Sequence, residues 1–489
     1  MANRKITVAR TRHLRLVRED MDPDKNETSD SFSKTVEFTG EFYFGEKSFG
    51  PLDFKIKYSL VNSSRIRGVF TGYKHNIRDL SGLIKSSGFD CALRSAIRES
   101  PRPTSATLTC SSDKVFFRRI RNPAPADLSS TQIVEGSFDL YHLSVNHKWV
   151  EPSDAPRTIR FFLDGPEEFW MSMYFRPIDF ETGQEIPKDY HLKITMPFVG
   201  RVEVKKLPFT SFVTVKGMRV RQVVEIVTLV IQTDLSETEL DNDDFLDKAT
   251  QVADDLLILA SFASRHHIRW FNKSLDGPNE RRELIRELGY DFAHEVERHQ
   301  MLLDPTQAKQ FLVRGLESLA GLRNAGKNLF MPLVMTTTAC QGYTEVQFAL
   351  HFLALEKLMD LFGKHNIMSS FDDVKTKLME VIRGSVDELH WRPIEEKLPE
   401  LNRYSLWRIM KGILEQYGVS WKDLYGHDPA LEKPTFLSTR NKLFHSSREI
   451  DEELLTQETD RLRSIVERLL LAILGWKGSH QTVPNGFQG

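Results

Sequence analysis

The chain has 489 residues, 40% of them hydrophobic and 27% charged, with a formal net charge of −2. That length exceeds one ordinary core and predicts two or three domains. The near-neutral balance excludes a global attraction to polyanions, so any nucleic-acid surface must be local.

Three cysteines, Cys91, Cys110 and Cys340, lie far apart with no CxxC pair. This excludes a cysteine-rich zinc module or a disulfide scaffold and predicts a reducing, cytoplasmic setting. The longest apolar runs, such as "LLILASFA" and "LLLAIL", fall far short of the roughly 20 residues that cross a bilayer. No membrane association is expected.

The first eighteen residues carry Arg4, Lys5, Arg10, Arg12, Arg15 and Arg18 without an acid. They lack the apolar stretch of a secretory signal, and read either as a loose arm or as one that grazes phosphate. The next two hundred residues read as β. In "TVEFTGEFYF" the residues Val36, Phe38, Phe42 and Phe44 share one parity, and in "PLDFKIKYSL" Leu52, Phe54, Ile56, Tyr58 and Leu60 alternate with polar residues. Period two over that length predicts half-buried strands. Further strands are predicted in "SRIRGVFTGY", "TLTCSS", "SFDLYHLSV", "RTIRFFL", "FWMSMYF", "HLKITM", "VEVKKL" and "RQVVEIVTLVIQT". They are too many and too evenly spread for βαβ units.

Near residue 235 the pattern changes to spacings of three and four. The acidic "DNDDF" at 241–245 reads as a helix cap, because it lacks the glycine and distal glutamate of a calcium loop. Helices are predicted through "DDFLDKATQVADDLLILASFASRHHIRW", "PNERRELIRELGYDF" and "PTQAKQFLVRGLESLAGL". In "TEVQFALHFLALEKLMDLFG" the residues Phe348, Phe352, Leu355, Met359 and Phe362 form one stripe that ends at Gly363. The last long helix places Leu462, Ile465, Val466, Leu469, Leu470, Ile473 and Leu474 on one side.

The expected fold class is α+β and multidomain. A β-rich, sandwich- or barrel-like recognition domain spans 1–235, a helical connecting region 236–335, an all-α bundle 336–476 and a frayed tail 477–489.

Chemistry concentrates in "STRNKLFHSS", residues 438–447, where Arg440, Asn441 and His445 stand in the spacing R-N-x-x-x-H. On a helix Asn441 and His445 are neighbours, and Arg440 lies roughly 140° around the axis from the histidine. Its long stem can still swing toward the imidazole, leaving Leu443 and Phe444 to face the core. One proton-transfer group, one fixed cation and one supporting amide are the parts required to cleave RNA without a metal. The 2′-OH attacks the adjacent phosphate, and a cation stabilises the charge that develops there. Two proton transfers against one histidine per motif imply a two-fold dimer.

The segment "RNKLFH" before an apolar final helix, with "FLALEKLMDLF" upstream, resembles the HEPN superfamily of helical ribonucleases, and within it the ApeA-type proteins of bacterial anti-phage defence. The resemblance covers about residues 336–476; the β-rich half matches only loosely, by order and length. It implies a C-terminal HEPN helical bundle in which Arg440 and His445 are catalytic and Asn441 fills the polar position after the arginine. It also implies a polar partner on an earlier helix, for which Glu356 is the candidate, placed to hold Arg440. The implied protein is a dimeric endoribonuclease that cuts host or phage RNA, tRNA or mRNA, and arrests growth when a phage-encoded trigger meets the N-terminal domain. A non-cleaving HEPN scaffold that binds RNA or protein is the competing implication.

Other motifs carry less. In "HEVERH" His294 and His299 are five apart, not the four that share a metal-facing side. The adjacent histidines of "RHHIRW" diverge on a helix, and suit a polar helix end. Arg118, Arg119 and Arg121 in "FFRRIRNP" read as a solvated strand end or an RNA contact. No Walker-type loop or G-x-S-x-G elbow occurs, so neither a metal nor a nucleotide cofactor is expected.

Overall fold

The structure is a computed structural model. It describes residues 33–44, 47–59, 66–73, 92–95, 98–99, 107–112, 115–121, 133–148, 156–166, 169–170, 192–196, 199–215, 218–233, 241–286, 301–340, 342–426, 428, 430–445 and 451–481. The basic segment 4–18, Cys91 and the "HEVERH" segment lie outside these residues.

The β-rich part precedes a helical part, which makes the chain α+β. Among the described residues the first nine strands are β1 (Ser33–Phe44), β2 (Lys47–Ser59), β3 (Ile66–Tyr73), β4 (Ala92–Ser95), β5 (Arg98–Glu99), β6 (Thr107–Ser112), β7 (Val115–Arg121), β8 (Ile133–Leu140) and β9 (His142–Lys148). Then come β10 (Thr158–Asp164), β11 (Lys193–Met196), β12 (Gly200–Val215), β13 (Met218–Gln232), β14 (Arg269–Asp276) and β15 (Glu280–Arg286). They form one hydrogen-bonded path in the order β11-β12-β13-β10-β14-β15-β9-β6-β4-β1-β2-β3-β8-β7, with β5 beside β6.

The period-two reading of β2 holds: Leu52, Phe54, Ile56 and Tyr58 are buried, while Asp53 and Lys55 face out. Their core is aromatic. Phe42 meets Phe54, Phe70, Phe117 and Phe138 edge-on at centroid distances of 4.8 to 5.4 Å, the arrangement that ring quadrupoles favour.

Two predicted elements differ from what forms. A helix was expected from residue 278, yet Glu280–Arg286 is strand β15, held between β14 and β9. Its residues suit a helix by intrinsic preference, but two open sheet edges and cross-strand charge partners outweigh that preference. Buried Glu283 receives Lys34 at 3.0 Å, Arg281 at 2.9 Å and the Tyr58 hydroxyl at 3.1 Å. Burial alone would raise its carboxyl, but the Lys34 ammonium and Arg281 more than offset this and hold it below the usual range. In "FWMSMYF", predicted as a strand, Phe169 and Trp170 are helical and the remainder lies outside the described residues.

The helices are α1 (Asn242–Ser264), α2 (Pro305–Asn324), α3 (Phe330–Ala339), α4 (Thr344–Phe362), α5 (Asp372–Ser385), α6 (Trp391–Lys397), α7 (Leu406–Gln416), α8 (Phe436–His445) and α9 (Glu452–Ile473). Asp241 caps α1 as expected, its carboxylate accepting the Asp244 amide at 2.8 Å. All the stripe residues predicted for α4 and α9 are buried. One core joins β10, β12 and β13 to these helices, crossing residues 235 and 335. Gly363 ends α4 with φ −81, so no left-handed backbone demands it. The reason is crowding: a Cβ there would meet Ile409 Cγ2 at 2.5 Å.

At the other end of α1, Arg265 takes a left-handed conformation, φ 55, and turns its guanidinium into the bundle. Its Nε and Nη2 donate to the two oxygens of Glu467 on α9 at 2.8 and 2.5 Å, with both side chains buried. Burial would raise the Glu467 carboxyl, but Arg265 outweighs it and keeps the group ionised. Removing one partner strands the other charge in the core, so Glu467→Ala should lower unfolding free energy by about 3–5 kcal/mol. The pair Arg265→Met with Glu467→Leu should recover most of that loss, as urea unfolding of the three proteins would read.

Candidate functional site

Helix α8 begins after Pro434 and Thr435 and lays Phe436, Thr439 and Leu443 toward the core. Its start is fixed from α9. Glu458, fully buried, accepts the Thr435 hydroxyl at 2.7 Å, the Tyr425 hydroxyl at 3.1 Å and Arg461 Nη1 at 2.5 Å. Burial, and then the Glu458 charge, push the Tyr425 phenol far up, so it stays a donor. The amide of Thr439 and the amide of Ser438 both return to the Thr435 carbonyl. Three donors on one buried carboxylate thus set where α8 enters the bundle.

From that start, the line Phe436, Arg440, Phe444 climbs out of the core, because each step of four residues turns about 40° around the axis. Phe436 is buried, Arg440 is half-buried, and Phe444 is 48% exposed. The expectation that Phe444 faces the core is therefore corrected; Leu443 does pack there.

Arg440 lies against α4. Its Nη2 is 3.5 Å from Glu356 Oε1, and its Nη1 donates to Asn441 Oδ1 at 3.2 Å. The guanidinium carbon stands 5.4 Å from the ring centre of buried Phe352 and 5.8 Å from that of Phe444. Lys357 and Asp360, the charged neighbours of Glu356, pair with each other at 3.7 Å. The side chains of Arg440 and Glu356 are 27% and 33% accessible. An ion pair that open contributes under about 1 kcal/mol, so its effect is orientation rather than stability. The guanidinium is held in place by an acid, an amide and two rings, and still reaches solvent.

His445 is the last residue of α8. Its side chain lies outside the described residues, as do those of Arg118, Arg119 and Arg121 on β7. The structure therefore brings together Arg440, Asn441 and Glu356. It describes only the backbone of the fourth predicted residue.

Comparison of the chain with family models, curated proteins and solved structures gives no match. The geometry stands by itself. Among the described residues no group of three or more histidine, cysteine or acidic residues is arranged to hold a metal. None of the described helices is long and apolar enough to cross a membrane. The "RHHIRW" segment is not on a helix: Arg265 closes α1 and Arg269 opens β14. Its His267 is pushed down to about 4 by burial and then by Arg269 and Arg286.

One polar cluster was not anticipated. Near the Arg265–Glu467 pair lie His351 on α4, Cys340 at the end of α3, and Arg463 on α9, all buried. No run in the sequence announces them, since they come from four separate elements. Burial raises the Cys340 thiol to about 11, so it stays protonated and unreactive. Burial lowers His351 to about 3, with the attraction of Glu467 only partly opposing it. The unfolded chain has the ordinary value near 6.5, so below that pH it takes up a proton that the folded chain refuses. Stability is thus complete above pH 6.5 and falls as the pH drops toward 3. At pH 5.5 the loss is on the order of 1 kcal/mol. His351→Leu should flatten that part of the slope in urea midpoints measured at pH 7 and 5.5.

Proposed function

We propose that this chain is a metal-independent endoribonuclease whose helical part is a HEPN-type bundle. Arg440 would bind the scissile phosphate through the two-pronged donor geometry that guanidinium shares with phosphoryl oxygens. The imidazole of His445 would take the proton from the 2′-OH as its oxygen attacks phosphorus, and a second imidazole would give a proton to the departing 5′-oxygen. That second group would come from a second copy of the chain, in a two-fold dimer that sets both motifs in one cleft. Glu356 would act on Arg440 rather than on the substrate, holding its stem while the outer edge of the guanidinium faces RNA. The β-rich part, read as sandwich- or barrel-like, would restrain the nuclease until a phage-encoded trigger binds it, and the outcome would be growth arrest.

The observation that supports this reading is the fixed, solvent-reaching guanidinium of Arg440, five residues before a histidine. Arg440 is oriented by Glu356 yet keeps its outer edge accessible, whereas Arg265 is sealed against Glu467.

The test is incubation of purified full-length protein with total RNA in EDTA. Wild type should cut and leave 2′,3′-cyclic phosphate ends, while His445→Ala and Arg440→Ala should lose about 10²-fold or more of the rate. An RNA with one 2′-deoxy position at the cut site should resist, because the nucleophile is gone. Identical banding for wild type and His445→Ala would leave the non-cleaving scaffold as the better description.

A further inference from the structure

The phenyl ring of Phe444 frames the Arg440 guanidinium and is also 48% exposed. It ends the α8 line whose first member, Phe436, is buried, and it leaves nearly half its surface in water directly before His445. The ring contributes little to the core, whereas Leu443 beside it packs inward. Its defined neighbour is the Arg440 guanidinium, 5.8 Å from the ring centre.

We infer that Phe444 is the platform on which the nucleobase next to the cut phosphate stacks, which makes the substrate single-stranded RNA. This rests on the ribonuclease reading above and extends it to substrate class. A nucleotide carries its charge and its flat apolar face within a few bonds of each other. Arg440 and Phe444 present the complementary pair, cation and π-face, one helical turn apart. The guanidinium carbon also lies 5.4 Å from the Phe352 ring centre, so the cation meets one buried ring and one exposed ring. A base in a duplex has both faces covered by its neighbours and cannot use such a ring; a base in a loop or single strand can. The ring has no hydrogen-bonding group, so it favours an unstacked base without selecting among the four.

Binding and cleavage test this separately on the full-length chain. The binding probe is a single-stranded oligonucleotide of 2′-O-methyl ribose, which cannot be cut, with 2-aminopurine at successive positions. Wild type should quench the fluorophore at one position. Phe444→Ala should lose that quench and bind roughly tenfold more weakly, Phe444→Trp should retain both, and a duplex of the same sequence should bind all three proteins alike. On cleavable RNA, Phe444→Ala should raise KM more than it lowers kcat, with circular dichroism and oligomeric mass unchanged. The inference is overturned if wild type shows no quench, or if the alanine variant binds as wild type does. It is equally overturned if the variant turns a dimer into a monomer, since the ring then belongs to a protein interface. Failure of the nuclease reading looks different: the oligonucleotide binds with quenching, and no RNA is cut.

Discussion

A guanidinium and a carboxylate sealed from water, Arg265 and Glu467, tie the end of α1 to the last helix, inside the core that strands and helices share. Arg265 is the residue at which α1 stops, and four residues later the chain enters β14. Glu467 is in α9, among the leucines of the bundle. In a low-dielectric interior each charge tolerates burial only because the other is there. The left-handed backbone at Arg265 is unusual for a residue with a Cβ, and it is what aims the side chain inward. The contact ties the end of α1 to α9, beside α3, which packs against both helices.

The candidate site uses the same device at a second level. Glu458, nine residues or about two and a half turns before Glu467 on α9, is also a buried acid, and it gathers hydroxyls from Thr435 and Tyr425 together with Arg461. Helix α8 therefore starts at a defined point and carries Arg440 to the flank of α4, where Glu356 and Phe352 meet it. The cation near solvent is oriented by a chain of contacts that ends in the core. Catalytic geometry depends on such support behind the residues that would meet substrate.

Much of this was legible in the sequence where one local pattern was enough. Alternation announced β2, and the stripes at Phe348–Phe362 and Leu462–Leu474 announced the two central helices, because burial on one face leaves a period in the residues. The approach of Glu356 to Arg440 was readable from the stripe beside it. What failed had its cause elsewhere in the chain. Glu280–Arg286 is a strand because β9 and β14 offer edges and Lys34 and Tyr58 offer partners to Glu283, all remote in sequence. Phe444 looked like a core residue by type; only the 40° drift along α8 shows that it leaves the core. The cluster of Arg265, Cys340, His351, Arg463 and Glu467 leaves no spacing signal, since its members meet only after folding.

The position of β15 also bears on how the chain is made. Strand β9 is synthesised long before its neighbour: β10 to β14 and all of α1 come off the ribosome before Glu280–Arg286 can pair with it. Until then the nascent N-terminal half carries a bare sheet edge at β9, open to pairing with any passing strand. Closure of that edge is a contact of long sequence separation, and so a late and slow event.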